Sequence, residues 1–140
     1  LNYYLKDYIM KSAFSLLELI FAIVVLGIVA SFAIPKYIDT KDTALVSTIK
    51  RDINTAISSI QGYYLLNQKI DKISDALSLN DTNWIITDTK LTDKNSCLSL
   101  EVKTTGSTKL LELVVDTTKT TTICKKIIDA KIVSTSYELY

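Results

Sequence analysis

Between Lys11 and Lys36 the sequence carries one ionisable residue, Glu18, within an apolar run that extends from Phe14 to Ile34. At ~1.5 Å per residue, a helix from Phe14 to Pro35 spans roughly 33 Å, the thickness of a bilayer's hydrocarbon core. A carboxylate at the centre of such a helix costs about 3 kcal/mol on insertion scales and less near its end, so it usually has a partner or a task. Glu18 stands near the start, four residues after Phe14. Any account of the chain has to explain both the greasy helix and its single acid.

Three local readings of this segment need no special function. Ser15-x-x-Glu18 fits a capping box, in which the glutamate satisfies backbone donors at a helix start. Lys6 and Lys11 supply a basic flank and Ser31-Phe32-Ala33 resembles a small-x-small cleavage site, as in a secretory signal, although signal cores seldom carry a charge. The length also suits a plain single-pass anchor.

Lys11-Ser12-Ala13 precedes Phe14, Glu18 is fifth from Phe14, Gly27 interrupts the apolar run, and Pro35-Lys36 closes it. Over Lys11 to about Tyr37 this pattern resembles a type IV prepilin, the family that includes type IV pilins and type II secretion pseudopilins. Ala13 departs from it, since the residue before the cut is usually Gly. The resemblance implies a leader over residues 1–13, removed between Ala13 and Phe14 by a membrane aspartyl prepilin peptidase that then methylates the Phe14 amine. It also implies that Glu18 neutralises the new amine of a neighbouring subunit. A buried charge pair of that kind fixes register more than it adds stability. Met10-Lys11-Ser12-Ala13 would make a compact leader, so synthesis is expected to begin at Met10.

After Pro35 the composition changes but helical periodicity persists. Leu45, Ile49, Ile53, Ile57 and Ile60 recur at steps of four and three, with Lys41, Asp42, Lys50, Arg51, Asp52 and Asn54 mostly elsewhere on the wheel. The expected organisation is an apolar helix over 14–38, bent or locally melted around Gly27 and Pro35, an amphipathic continuation over 39–66, and a small β-rich domain over 67–140. Gln68 to Asn83 reads as a short helix or irregular connection. Beyond it, threonine and β-branched residues predict strands at Trp84–Thr87, Leu98–Val102 and Leu110–Val115, the last two joined as a hairpin through a loop at Thr104–Lys109. Ile123–Ile128 and Lys131–Thr135 are predicted to add further strands. The fold class is α+β: a long N-terminal helix with a small antiparallel sheet on its C-terminal half.

A chain of 140 residues leaves one modest domain after that helix, and a net charge of +1 from 16 basic and 15 acidic residues argues against a dedicated nucleic-acid binder. With no histidine and no phosphate-cradling glycine loop, the chain is not expected to be an enzyme or to hold a cofactor. Cys97 and Cys124, the only cysteines, cannot make a usual four-ligand zinc site without histidine. A disulfide in an exported domain is the favoured reading, two unlinked buried thiols the alternative; many pilins carry a disulfide in the C-terminal part of their domain. Asn80–Asn83 and Asp88–Asn95 could hold calcium as in some pseudopilins, but they lack EF-hand spacing and read better as polar surface loops. Tyr137 and Tyr140 are expected to pack at a strand edge.

Taken with the resemblance, these features predict a structural subunit of a bacterial pilus or secretion pseudopilus. Its N-terminus is cytoplasmic, its helix crosses the inner membrane and its domain is periplasmic. The expected partners are other pilin-like subunits, the peptidase, an inner-membrane assembly platform and the lipid bilayer. The alternative is a membrane-anchored periplasmic binding domain that never polymerises.

Overall fold

The computed structural model describes residues 14–140. Its first element, α1, spans Leu16–Asn67 and runs through Gly27 and Pro35 without interruption. Proline removes the N–H that would bond the Ser31 carbonyl, at a cost of one helical hydrogen bond. α1 is shared by two compact units, one ending at Ile38 and one comprising Asp39–Tyr140.

The second unit is an α+β domain. Its sheet is a five-stranded antiparallel meander in the order β1 (Trp84–Ile86), β2 (Lys90–Asp93), β3 (Leu98–Thr105), β4 (Thr108–Val115), β5 (Thr135–Leu139). A short helix α2, Ile73–Ala76, precedes the sheet, and α3, Thr122–Asp129, connects β4 to β5. Val46, Ile49, Ile53, Ala56, Ile57 and Ile60 form the buried stripe of α1 and join Trp84, Leu91, Leu98, Leu100, Leu111 and Leu113 in one core. The helix supplies its face every three to four residues and the strands supply theirs every second, so the two periodicities meet on one apolar layer.

The predicted hairpin is present, with Leu98 opposite Val115 and Thr105 opposite Thr108. Its loop is much shorter than Thr104–Lys109. The ladder continues to a two-residue turn in which Gly106 has φ +63°, a conformation that glycine adopts without a Cβ penalty.

Two predicted strands are corrected. Ile123–Ile128 lies within α3, because Lys125 and Lys126 break the alternation while Cys124 and Ile127, three residues apart, face the core together. Thr121 caps this helix through its hydroxyl, which accepts from the Cys124 N–H. Lys131–Thr135 is largely irregular: Lys131 takes φ +62°, and β5 begins only at Thr135. Asp88–Asn95 is likewise not simply a surface loop, since it contains β2 and a fully buried Asp93. Of the predicted aromatic pair, Tyr137 packs partly buried against the core, whereas Tyr140 is 77% exposed.

Candidate functional site

Ser15 sets the start of α1. Its Oγ accepts a hydrogen bond from the Glu18 backbone N–H at 3.1 Å, and its carbonyl accepts from the Leu19 N–H at 3.0 Å. This is the Ser half of a capping box, made by the main chain of Glu18 and not by its carboxylate. Among the described residues, the exposed Glu18 carboxylate takes part in no hydrogen bond or ion pair. It therefore combines a fixed place on the first helical turn with a carboxylate that is unpartnered among the described residues. Its position there also suits the positive end of the helix dipole.

Around and after Glu18 the helix surface is apolar on every side. Phe14, Leu16, Leu17, Leu19, Ile20, Phe21, Ile23, Val24 and Leu26 are all exposed, as are Ile28, Val29, Phe32 and Ile34. The one hydroxyl in this stretch after Glu18, Ser31, donates to the Ile28 carbonyl at 2.7 Å, so the helix satisfies it internally. A Cβ placed on Gly27 would meet nothing within 4 Å, so no packing within the chain demands glycine there. Among the described residues there is thus one helix long and apolar enough to cross a membrane, near the N-terminus of the sequence. A soluble protein rarely leaves so continuous an apolar surface uncovered.

The residues expected to be processed divide at the edge of the described region. Phe14 is its first residue, while Ala13, the rest of the predicted 1–13 leader and Met10 lie outside it.

In the second unit, Cys97 and Cys124 are joined in a disulfide, with Cα atoms 5.2 Å apart. The bond links the start of β3 to α3, not to a strand as predicted. From the same helix, Lys126 Nζ lies 2.7 Å from both Asp39 Oδ1 and Thr43 Oγ1, and Lys50 Nζ donates to the Ala130 carbonyl at 3.0 Å. Together these contacts brace α3 against the Asp39–Lys50 portion of α1.

The polar clusters are occupied by local bonds. Asn80 Oδ1 accepts from both the N–H and the hydroxyl of Thr82, at 2.8 and 2.6 Å. Asp88 pairs with Lys72 at 3.7 Å. Among the described residues no group of three or more His, Cys, Asp or Glu side chains is placed to hold a metal ion. On the sheet surface the Glu112 carboxylate beside Lys103 holds the ammonium above the ordinary lysine range. The Asp71 carboxylate does the same for Lys69. Both are exposed surface pairs with little bearing on a site.

Asp93 was missed as a structurally important residue, because a lone Asp in a polar stretch gives no sequence signal of burial. Its carboxylate accepts from the N–H groups of Asn95, Cys97 and Leu98.

No family model, curated protein or solved structure matches the chain.

Proposed function

We propose that this chain is a filament subunit of the type IV pilin or type II secretion pseudopilin kind, held in the bacterial inner membrane by the apolar part of α1 until it is assembled. The observation that carries the reading is the exposed carboxylate of Glu18, unpartnered among the described residues and held by a cap through its main-chain N–H on the first turn of a helix that is otherwise apolar all round.

A helix of that character has two ways to cover its surface. It can remain in lipid, or it can exchange lipid for the same apolar surface on neighbouring copies. Because lipid and leucine are equally apolar, packing alone gives such a bundle little register. Cleavage between Ala13 and Phe14 would create an ammonium one turn from Glu18, and methylation of the amine leaves it able to carry that charge. Within a bundle of low dielectric the carboxylate of one subunit and the amine of the next attract strongly, and pairing avoids the cost of leaving either charge buried alone. In the isolated subunit the same carboxylate sits at the membrane boundary, where its cost is smaller. The charge pair therefore favours the assembled state over the dispersed one and selects a single stagger between helices. The disulfide-linked domain, on this reading, is the periplasmic part that assembly carries outward.

The test is mass analysis of the mature polypeptide together with a Glu18→Ala variant. The expected mature form begins at a methylated Phe14. The variant is expected to insert and be cleaved normally yet fail to enter filaments, with subunit cross-links through residues 14–35 lost. A mature chain beginning elsewhere, or normal filaments from the variant, overturns the proposal. Cleavage and methylation without any such cross-link in the native chain would instead indicate an anchored domain that does not polymerise.

A further inference from the structure

We propose that Asp93 is the positioning residue for the Cys97–Cys124 disulfide. Its buried carboxylate templates the loop that presents Cys97 to α3, so that the bond forms readily when the exported domain meets an oxidant.

The turn between β2 and β3 is short and conformationally demanding. Ser96, the residue before Cys97, has φ +54°, in the left-handed region that a non-glycine residue enters at a cost. The segment contains no glycine to ease that geometry. Asp93 opposes the cost from within the core. Oδ1 accepts from the N–H of Cys97 at 2.7 Å and of Leu98 at 2.8 Å, while Oδ2 accepts from the N–H of Asn95 at 3.0 Å. The Asp93 main chain adds a bond from the Ser96 N–H to its carbonyl at 2.8 Å. Three N–H donors converge on one fully buried carboxyl group, so its acceptor atoms are satisfied by the loop they hold in place. On the other side, the Cys97 carbonyl accepts from the Asp116 N–H at 2.8 Å, which fixes the cysteine's peptide planes from both ends.

Cys97 and Cys124 are themselves at most 1% exposed. A thiol in so closed a place reaches its partner only if the backbone already aims it there, since disulfide geometry tolerates little error. Cys124 is aimed independently, by the Thr121 cap and by the packing of Ile127. The Cys97 side depends on a loop whose internal order comes chiefly from Asp93. In the step itself, two protein thiols and one oxidised glutathione yield the protein disulfide and two reduced glutathiones. Each cysteine sulfur loses its proton, one thiolate displaces a glutathione thiolate, and the second thiolate then displaces the other. Asp93 takes no part in that chemistry. It raises the effective concentration of one thiol toward the other.

The experiment uses the full chain in detergent micelles, equilibrated in a series of reduced and oxidised glutathione mixtures, to obtain the effective concentration of the two thiols. Native protein is compared with Asp93→Asn and Asp93→Ala. The expected result is a fall of about 10- to 100-fold for Asp93→Ala and a smaller fall for Asp93→Asn, which keeps one acceptor oxygen. The same substitutions made in a Cys97→Ser/Cys124→Ser background separate positioning from general stability by a double-mutant cycle. An unchanged effective concentration, or an equal loss of stability with and without the cysteines, overturns the proposal. So does failure of the variants to fold in both backgrounds, because the carboxylate would then serve the fold and not the bond.

Discussion

Trp84 Nε1 donates a hydrogen bond to Asp52 Oδ2 at 3.0 Å, joining the first strand of the sheet to the middle of the helix stripe beneath it. Trp84 is 1% exposed and the Asp52 side chain 16%, so the pair sits at the edge of the core with limited access to water. Truncating the acceptor strands a buried indole N–H. Asp52→Ala should therefore lower the stability of the domain by about 1.5–3 kcal/mol. Trp84 is the only tryptophan, so its fluorescence during urea unfolding reports the loss directly. An unchanged midpoint would show that water replaces Asp52 at no cost.

The disulfide closes a loop with a sequence separation of 27. Chain-entropy reasoning assigns such a closure about 3.5 kcal/mol, through restriction of the unfolded chain. Reduction with a thiol, or the Cys97→Ser/Cys124→Ser double substitution, should lower the unfolding free energy by that amount and so move the denaturation midpoint down. The contacts of Lys126 with Asp39 and Thr43 do not include either sulfur, so α3 should retain its helical signal below the new midpoint. Amide hydrogen exchange in Thr122–Asp129 checks both effects, and unaltered protection after reduction at constant midpoint would contradict the first.

Asp116 sits at the end of β4, where its Oδ1 accepts from the Thr118 hydroxyl at 2.6 Å and from the Thr118 N–H at 2.9 Å. These bonds, the hydroxyl's first, hold the carboxyl below its ordinary value. A depressed folded value means that the contribution to stability is present above the unfolded carboxylate pKa, about 3.9, and is lost as pH falls through the folded value. The Asp116–Thr118 turn should accordingly loosen only in acid. Carboxyl carbon shifts followed by NMR should place the Asp116 titration below that of a free aspartate, and Thr118→Val should move it back up. A titration unaffected by Thr118→Val would remove the hydroxyl as the cause.

Those parts of the fold that rest on periodicity were legible in the residues themselves. Ile49, Ile53, Ile57 and Ile60 define the buried face of α1 because helical spacing leaves no other way to line them up. Leu98, Leu100, Leu111 and Leu113 likewise mark the hairpin by alternation. The failures have the opposite character. Ile123 to Ile128 is rich in β-branched residues, but its helix is decided by a cap at Thr121 and by which two side chains reach the core, facts of tertiary context. β2 went unseen because Lys90–Asp93 holds a single apolar residue, Leu91, and gains its place by pairing with β1 and β3. Asp93 looks like a surface residue in the sequence because burial of a carboxylate depends on backbone donors that no linear pattern displays. At the candidate site, Ser15-x-x-Glu18 is readable as a cap, yet only the geometry shows that the main-chain N–H of Glu18, and not its carboxylate, makes the bond.

That distinction permits the two roles of the helix start to be separated. The cap uses the Ser15 hydroxyl and the Glu18 N–H, so every substitution of the Glu18 side chain keeps both partners, while Ser15→Ala removes the bond and leaves the acid. Loss of an N-cap hydroxyl costs about 1 kcal/mol, which frays the first turn without removing its charge. On the proposed reading, Ser15→Ala should reduce filament yield modestly, and both Glu18→Ala and Glu18→Gln should abolish incorporation, because the amide retains size and polarity but not the charge that meets an ammonium. All three variants should accumulate in the membrane fraction at native levels with a normally cleaved N-terminus. Quantifying subunits in sheared filaments against those in membranes checks the order. If Ser15→Ala fails as completely as Glu18→Ala, or Glu18→Gln assembles normally, then helix initiation and not the carboxylate's charge is what assembly requires.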